Sequence, residues 1–480
     1  MKKTALVIFS LVVFLFPYVI KADDLTQKID KLVNDYTALG TFSGTVLVAK
    51  DGNVIYEKAS GMEDREANKP LTMSSRFNIG SMGKTFTAVA IMQYVEQGKL
   101  SLDSKLSEML PEYAFANADK ITLAQILSHT AGLSNYMTHP DFDKRTKEYT
   151  TIDQFLTLAL EVPPVGAPGE KFAYSNTGFV VLGKIIEKLS GKNYFDYIKE
   201  KIWQPLEMNN TTVYSVNTRA ENKAAGYDLL PNGEKIYQGA FDIPALSDGG
   251  AFSNVYDLLK YANALKGNTL LKDETKKEMF TKRANFGPIT GYGYGFMIYT
   301  DKGENVAGHG GDCPGYSSDL NMMFDKGYTI IILSNYQGLS RGLSVRLMDL
   351  VNGKEYPAPK KPVTFVIYDL LKEKGVKYLS ENSENLNASL KEKGYDALND
   401  DGLLNNLGYT LLFNVSMEEA TDLFTINAQL FPDVPNVWDS LAESYMKRGD
   451  NEKAVVYYKK VLELDKANEN AKKMIAKLQK

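Results

Sequence analysis

The sequence predicts an α+β fold, an antiparallel β-sheet flanked by helices, followed by a small α-helical repeat domain. Two clusters of β-rich segments lie far apart, at 44–60 and 292–335, and the chain between them has mostly helical patterns. After residue 362 the pattern changes to short helices. We therefore expect one sheet built from both ends of the first domain, with the helical middle packed on it.

Each β cluster divides at turn-forming residues. Asp51-Gly52 separates the runs 44–50 and 53–60 and favours the positive φ angles of a type I′ hairpin turn. In the second cluster, the turns 301–303 and 325–327 each end in glycine and separate candidate strands. The predicted strands of that cluster are 292–300, 304–309, 317–324 and 328–335, and the predicted helices of the first domain include 25–39, 81–98 and 177–189.

A linker rich in proline and charge, 353–362, divides a first domain at 23–352 from a helical domain at 363–480. Two segments of the helical domain resemble tetratricopeptide helix pairs because similar residues recur 34 positions apart. The matching pairs are Leu404 and Trp438, Leu407 and Leu441, Gly408 and Ala442, Leu411 and Tyr445, and Ala420 and Ala454. Two interpretations fit: a groove for a protein partner, or a cap that shields apolar surface of the first domain.

The N-terminus predicts a secretory signal peptide at 1–22. Lys2-Lys3 precedes an apolar run from 5 to 20, and Ala22 is followed by two aspartates. We expect export to the periplasm or the medium. An uncleaved membrane anchor is the alternative, because Ile20 is large for a position two residues before a cleavage site.

Composition excludes several classes of protein. Among the 480 residues, 55 basic and 59 acidic side chains give a net charge of −4, which leaves no positive excess for nucleic acid. The one cysteine, Cys313, cannot form an internal disulfide, and it is either a thiol at the rim of a site or a small turn residue. No metal-ligand spacing or phosphate-binding glycine loop occurs, so we expect no cofactor and a small-molecule or peptide substrate.

The first catalytic candidates are Ser81 and Lys84. Residues three apart share a helix face, so the Lys84 ammonium is expected beside the Ser81 hydroxyl, which needs such a partner to become nucleophilic. Gly80 and Gly83 flank the serine where a tight approach needs bare backbone. The structural alternative is an N-cap serine and a solvated lysine; Ser-x-x-Lys alone is weak, because Ser444 and Lys447 repeat it.

Two further candidates lie before the helix at 177–189. Tyr174 is placed in a loop, where a neighbouring ammonium such as Lys84 stabilises a phenolate and lowers its pKa from about 10. Asn176 can hydrogen-bond either Lys84 or a substrate amide. The structural alternative for Tyr174 is a packed ring, and Tyr261-Ala-Asn263 repeats the bare pattern inside a predicted helix.

The third group lies in a glycine-rich strand around His309. Repeated glycine in a strand marks close approach of a backbone or a ligand, so His309 and Gly311 are predicted to bind substrate in the cleft. The backbone N–H groups of Asp312 and Ser81 can together hold a tetrahedral oxyanion. A structural histidine in a glycine hairpin is the alternative, and His129 is predicted to end a helix.

In this order and context the three groups resemble the serine β-lactamase and penicillin-binding-protein superfamily, which includes class C β-lactamases, DD-peptidases, esterases and D-aminopeptidases. The motifs are Ser81-Met-Gly-Lys84, Tyr174-Ser-Asn176 and His309-Gly-Gly311, and the likeness extends over about 25–352. The resemblance implies a β-lactamase/transpeptidase-like fold. It also implies an acyl-enzyme on Ser81, with Tyr174 and Lys84 moving its proton to the leaving group.

The chain departs from the β-lactamases at one position. Those enzymes carry Lys-Thr-Gly on the third strand, which this sequence lacks, and a histidine that is mostly neutral attracts a substrate carboxylate weakly. The prediction is therefore a serine hydrolase acting on an ester, a D-amino-acid peptide or a cell-wall amide. A β-lactamase proper, and an inactive cell-wall binding domain whose repeats recruit a partner, are the alternatives.

Overall fold

A computed structural model describes residues 16–479 apart from 215–217, 219, 238–243, 288, 302–303 and 382. Its strands are β1 (Gly44–Lys50), β2 (Asn53–Ser60), β3 (Met62–Asp64), β4 (Lys69–Pro70), β5 (Phe77–Asn78), β6 (Tyr227–Leu229), β7 (Lys235–Tyr237), β8 (Phe252–Ser253), β9 (Ala284–Asn285), β10 (Thr290–Tyr292), β11 (Met297–Asp301), β12 (Glu304–Cys313), β13 (Tyr316–Met323) and β14 (Tyr328–Ser334).

Within the described residues, eight strands form one antiparallel sheet in the order β2-β1-β14-β13-β12-β11-β10-β9. The two ends of the first domain meet where β1 pairs with β14, from Gly44 opposite Ser334 to Lys50 opposite Tyr328. The predicted fold class is confirmed. The hairpin turn is also as expected, because Asp51 and Gly52 have φ angles of 50° and 81°.

One predicted strand, 292–300, is in fact two. The chain leaves the sheet after β10 and returns at β11, and Gly295 between them has a φ of 77°. A side chain on Gly295 would collide with the Cβ of Ala88, so the bend depends on glycine where it passes that helix. An alternation of aromatic residues and glycines alone does not distinguish this bend from a continuous strand.

The helices of the first domain occupy most of the chain between the two strand clusters. They are α1 (Phe16–Ala38), α2 (Lys84–Glu96), α3 (Leu106–Met109), α4 (Leu123–Leu127), α5 (Phe142–Arg145), α6 (Ile152–Leu160), α7 (Asn176–Ser190), α8 (Tyr194–Ile198), α9 (Val255–Lys266), α10 (Asp273–Phe280) and α11 (Ser340–Val351). Short 3₁₀ helices cover Gly80–Gly83, Tyr136–Thr138 and Thr146–Glu148, and a π-helix covers Lys199–Trp203.

Helices cover both faces of the sheet, because successive residues of a strand point to opposite sides. Val46 and Val48 of β1 pack in a core shared with α1 and α11. Leu47 and Ala49 face the larger core, to which α2, α7 and α9 contribute their apolar side chains. The sheet is therefore a middle layer with a hydrophobic core on each face.

The predicted signal peptide lies largely outside the described residues, and its end falls within α1. None of the helices in the described part of the chain is both long and apolar enough to cross a membrane. The cleavage of residues 1–22 and the export of the protein stay predictions.

The chain divides into two compact units. The first comprises the described residues of Met1–Asp228 and Tyr237–Pro359, and the second comprises Leu229–Ile236 and Lys360–Lys480. Nothing in the local sequence pattern indicates that Leu229–Ile236, inside the predicted first domain, belongs with the second unit. The helices of the second unit are α12 (Val363–Glu381), α13 (Ser383–Glu392), α14 (Gly402–Asn414), α15 (Met417–Leu430), α16 (Pro435–Lys447), α17 (Asn451–Leu464) and α18 (Glu469–Leu478).

The second unit has its own core. Leu404, Leu407 and Leu411 of α14 are buried among leucines of α12 and α13 and apolar side chains of α15. At Gly408 an added Cβ would lie 2.4 Å from the ring of Phe424, so the small residue lets two helices approach closely. The assignment of these helices to the tetratricopeptide class stays a prediction.

Candidate active site

Ser81 lies at the start of a buried helix. It is the second residue of the 3₁₀ turn Gly80–Gly83, which continues directly into α2. Gly80 has a φ of 49°, and a side chain there would lie 3.0 Å from the backbone nitrogen of Asp312. A side chain on Gly311 would collide with the carbonyl of Ile79. Bare backbone at both glycines therefore brings the strand β12 against the turn that carries the serine.

Lys84 connects the serine to two other segments. Its side chain is fully buried, and Nζ donates to Ser81 Oγ at 3.1 Å, to Asn176 Oδ1 at 2.7 Å and to the carbonyl of Asp248 at 2.6 Å. An ammonium has three protons to donate, so these three acceptors satisfy it. Such full satisfaction is what allows a cation to remain in a buried position.

Tyr174 lies beside this ammonium, just before α7. Lys84 Nζ is 5.1 Å from the centre of the Tyr174 ring, within the range of a cation–π interaction. Ser175 caps α7 by accepting from the N–H of Gly178, and its hydroxyl donates to the carbonyl of Ser134. The cap anchors the residue that follows Tyr174, and the half-buried ring is thereby held beside the Lys84 ammonium, although Tyr174 is not among the described lining residues of the cleft below.

A cleft of about 240 Å³ opens beside the serine. Its lining residues are Asn78, Gly80, Ser81, Tyr136, Met137, Asn176, Pro244, Asp248, Gly249, Gly250, Asp312, Cys313, Pro314 and Gln337. Ser81 and Asn176 thus face a space that can hold a substrate. Within the described residues no cluster of three or more side chains could hold a metal ion.

His309 is oriented differently from what the sequence led us to expect. Its ring is 1% exposed and is not among the described lining residues of the cleft. Nε2 lies 2.8 Å from the Tyr292 hydroxyl, and Nδ1 lies 2.5 Å from the carbonyl of Gly310. Burial above all, with a smaller contribution from the Lys84 ammonium, lowers the pKa of His309 to about 3, although the hydrogen bond to Gly310 acts in the opposite direction. The neutral ring therefore packs inside the domain against Tyr292, and its role in binding substrate stays a prediction.

Comparison with known proteins identifies the family of the chain. A protein-family model described as Beta-lactamase matches residues 25–351. The chain belongs to the beta-lactamase family. The family predicted from the three motifs is therefore confirmed.

Three relatives show the range of this beta-lactamase family. The chain is 30% identical over 343 residues to Penicillin-binding protein 4* of Bacillus subtilis (strain 168), covering 67% of this chain and 75% of that one. It is similar in structure to a D-stereospecific amidohydrolase from Streptomyces sp., with a TM-score of 0.57 and 26% identity over 68% of this chain and 96% of that one. EstCE1, a hydrolase with promiscuous acyltransferase activity, has a TM-score of 0.60 and 26% identity over 69% and 99%.

Three residues at the site of this beta-lactamase family member were not predicted from the sequence. Asp248 lines the cleft, and the Tyr136 hydroxyl donates a hydrogen bond to the Asp248 carboxylate. The Tyr292 hydroxyl is hydrogen-bonded to His309. Asp248 stands directly before Gly249-Gly250, whose glycines were the only signal in the sequence. The two tyrosines carry no local pattern that separates them from core aromatics.

His129 has the predicted turn role and also an unforeseen contact. It follows α4 with a φ of 57°, and its ring accepts from the N–H of Ser175 through Nδ1. The ring centre lies 4.3 Å from that of Tyr174, and burial lowers the His129 pKa well below its usual range. A neutral imidazole therefore packs against the candidate catalytic phenol.

Cys313 is both a residue at the site and a small residue before a turn, the two interpretations that the sequence left open. It ends β12 before the Pro314-Gly315 turn, and it lines the cleft. Burial raises the pKa of its thiol. The thiol is therefore protonated at neutral pH, and it contributes a small apolar wall.

Proposed function

We propose that this beta-lactamase family member is a serine hydrolase that forms an acyl-enzyme at Ser81 on an ester, a D-amino-acid peptide or a cell-wall amide. The observation that carries the proposal is the 3.1 Å contact between the buried Lys84 ammonium and the Ser81 hydroxyl at the cleft. A serine hydroxyl is a weak nucleophile without an adjacent group that manages its proton.

The proposed reaction has two halves. Ser81 Oγ bonds to the substrate carbonyl carbon, and its proton passes through Tyr174, which the Lys84 ammonium stabilises, to the departing amine or alcohol. The backbone N–H groups of Ser81 and Asp312 are the candidates for holding the oxyanion, since Gly80 packs directly on Asp312. Water then attacks the ester, a proton returns to Ser81 Oγ, and the acid product leaves.

The relatives support acyl transfer without settling a substrate. An amidohydrolase and EstCE1 are hydrolases by their descriptions, and a third relative is a penicillin-binding protein. Burial keeps His309 neutral, so this position offers no cation to the carboxylate of a β-lactam. We therefore favour an esterase or amidase over a β-lactamase proper. The intact contact between Lys84 and Ser81 favours an enzyme over an inactive binding domain.

A fluorophosphonate probe tests the nucleophile directly. We expect the wild type to be labelled at Ser81, and Ser81→Ala to lose the label completely. The matched control is Ser444→Ala, because Ser444 belongs to the second Ser-x-x-Lys and is fully buried in α16. This control should label like the wild type. Equal labelling of wild type and Ser81→Ala would show that Ser81 is not the nucleophile.

A further inference from the structure

The loop that carries Asp248 is attached to the nucleophilic turn. Leu246 and Gly249 exchange two backbone hydrogen bonds of 2.9 and 3.1 Å, which close the loop. An added Cβ on Gly249 would lie 2.6 Å from the carbonyl of Gly80, so the two backbones touch. The Asp248 carbonyl also accepts from Lys84 at 2.6 Å. The position of Asp248 relative to Ser81 is therefore set by backbone contacts.

The Asp248 carboxylate is placed for a ligand. Its side chain lines the cleft together with Ser81 and Asn176, and the residue is only 6% exposed. Oδ2 accepts from the Tyr136 hydroxyl at 2.9 Å, a backbone N–H also donates to the carboxylate, and no lysine, arginine or histidine among the described residues forms an ion pair with it. Burial raises the pKa of this carboxyl, and the Lys84 ammonium opposes that rise. A buried carboxylate at a cleft is stabilised when a cationic donor reaches it.

The charges around the cleft are unequal. Two carboxylates, Asp248 and Asp312, line it, whereas the described lining residues include no lysine, arginine or histidine. Lys84 already donates to three acceptors, and burial keeps His309 neutral. Burial raises the pKa of Asp312, and Arg341 partly opposes that rise from outside the lining, where its guanidinium lies 3.5 Å from the Tyr299 hydroxyl. A positively charged substrate group therefore finds partners here, and a negatively charged one does not.

We propose that Asp248 selects substrates whose acyl group carries a free ammonium next to the scissile carbonyl, that is, α-aminoacyl esters and amides. This inference rests on the proposed acyl-enzyme at Ser81 and names its substrate class. The ammonium donates to Asp248, and the carbonyl lies over Ser81. The apolar walls formed by Met137, Cys313 and Pro314 receive the side chain of the aminoacyl group.

The test compares D-alanine p-nitroanilide with its N-acetyl derivative, which has the same leaving group and no positive charge. We expect the wild type to prefer the free amine by at least about tenfold in kcat/KM, the scale of one charge-assisted hydrogen bond. Asp248→Asn should remove this preference by lowering only the free-amine value. Tyr136→Phe keeps the carboxylate, and it should keep the preference.

Three outcomes would overturn the inference. A wild type that favours the N-acetyl substrate contradicts it. An Asp248→Asn variant that loses both activities equally also contradicts it, since Asp248 would then act only by positioning Lys84. If that variant fails to fold, inhibition of the wild type decides: benzylamine should inhibit at least about tenfold more strongly than benzyl alcohol, and equal inhibition refutes the inference. Fluorophosphonate labelling of Ser81 in every variant separates these failures from a failure of the proposed function.

Discussion

The chain contains Ser-x-x-Lys twice, and the two copies have different surroundings. At the first, Lys84 is fully buried and donates to Ser81 Oγ. At the second, Ser444 lies inside α16 and donates to the carbonyl of Leu441, while Lys447 points to Glu443 and to the ring of Phe413. Spacing by itself therefore does not bring the two side chains together.

Tyr-x-Asn is also present twice, with the same contrast. Tyr174 and Asn176 stand at the start of α7 and contact Lys84 through a ring face and an amide oxygen. Tyr261 and Asn263 lie within α9, where the ring is buried against Phe86 and the amide donates to Gly52. In both motifs, the copy at the start of a helix contributes to the candidate active site, and the copy inside a helix makes its contacts elsewhere.

The largest expected effect separates the two lysines. Lys84→Ala leaves Ser81 without its proton-handling partner, so kcat/KM on the preferred ester should fall by at least about 10³-fold. Lys447→Ala removes an exposed pair, which is worth little, and should stay within about twofold. Steady-state kinetics at one pH measures both. Comparable losses in the two variants would contradict the assignment of the first copy.

The next effect separates the two tyrosines. Tyr174→Phe keeps the ring beside Lys84 and removes the proton carrier, so kcat should fall by about 10²- to 10⁴-fold. Tyr261→Phe removes a buried hydroxyl that lies beside Thr85 and makes no hydrogen bond to Ser81 or Lys84, so activity should be unchanged. Single-turnover acylation rates report the step itself. A Tyr174→Phe enzyme with normal acylation would limit this phenol to a packing role.

A smaller effect concerns stability in the helical unit. Gly408→Ala forces a methyl group against the buried Phe424 ring and should lower the free energy of unfolding by about 1–3 kcal/mol. Each unit contains one tryptophan, Trp203 in the first and Trp438 in the second. In a Trp203→Phe background, urea unfolding followed by fluorescence reports the second unit alone. An unchanged midpoint would mean that the two helices can move apart freely.

The change that is smallest within any one pH unit is the pH dependence of the free energy of unfolding in the first unit, which contains all three histidines. His309 has its pKa lowered from 6.5 to about 3 by burial, so the unfolded chain binds an extra proton between these values. Stability from this group is complete above pH 6.5 and falls by up to about 1.4 kcal/mol per pH unit below it. His309→Gln should reduce the slope, measured by Trp203 fluorescence in a Trp438→Phe background. An unaltered slope would place a charged imidazole in the native state.

Local patterns were sufficient for the elements and the family. Alternating runs and Asp51-Gly52 gave β1 and β2 with the observed ends, and the three ordered motifs gave the beta-lactamase family. They were insufficient for the strand broken at Gly295, because a turn made of glycines and aromatics looks like a strand when its neighbours are unknown.

The amino-acid order by itself determined that Ser81 begins a buried helix and that Tyr174 and Asn176 precede another. Only tertiary structure decided that Lys84 reaches the Asp248 carbonyl, that Asp248 lines the cleft, and that the His309 ring turns to Tyr292. The physical reason is the range of the interactions: periodicity and turn chemistry act over a few residues. The partners of a side chain depend on which distant backbones can pack together, and here the glycines at 80, 249 and 311 allow that approach.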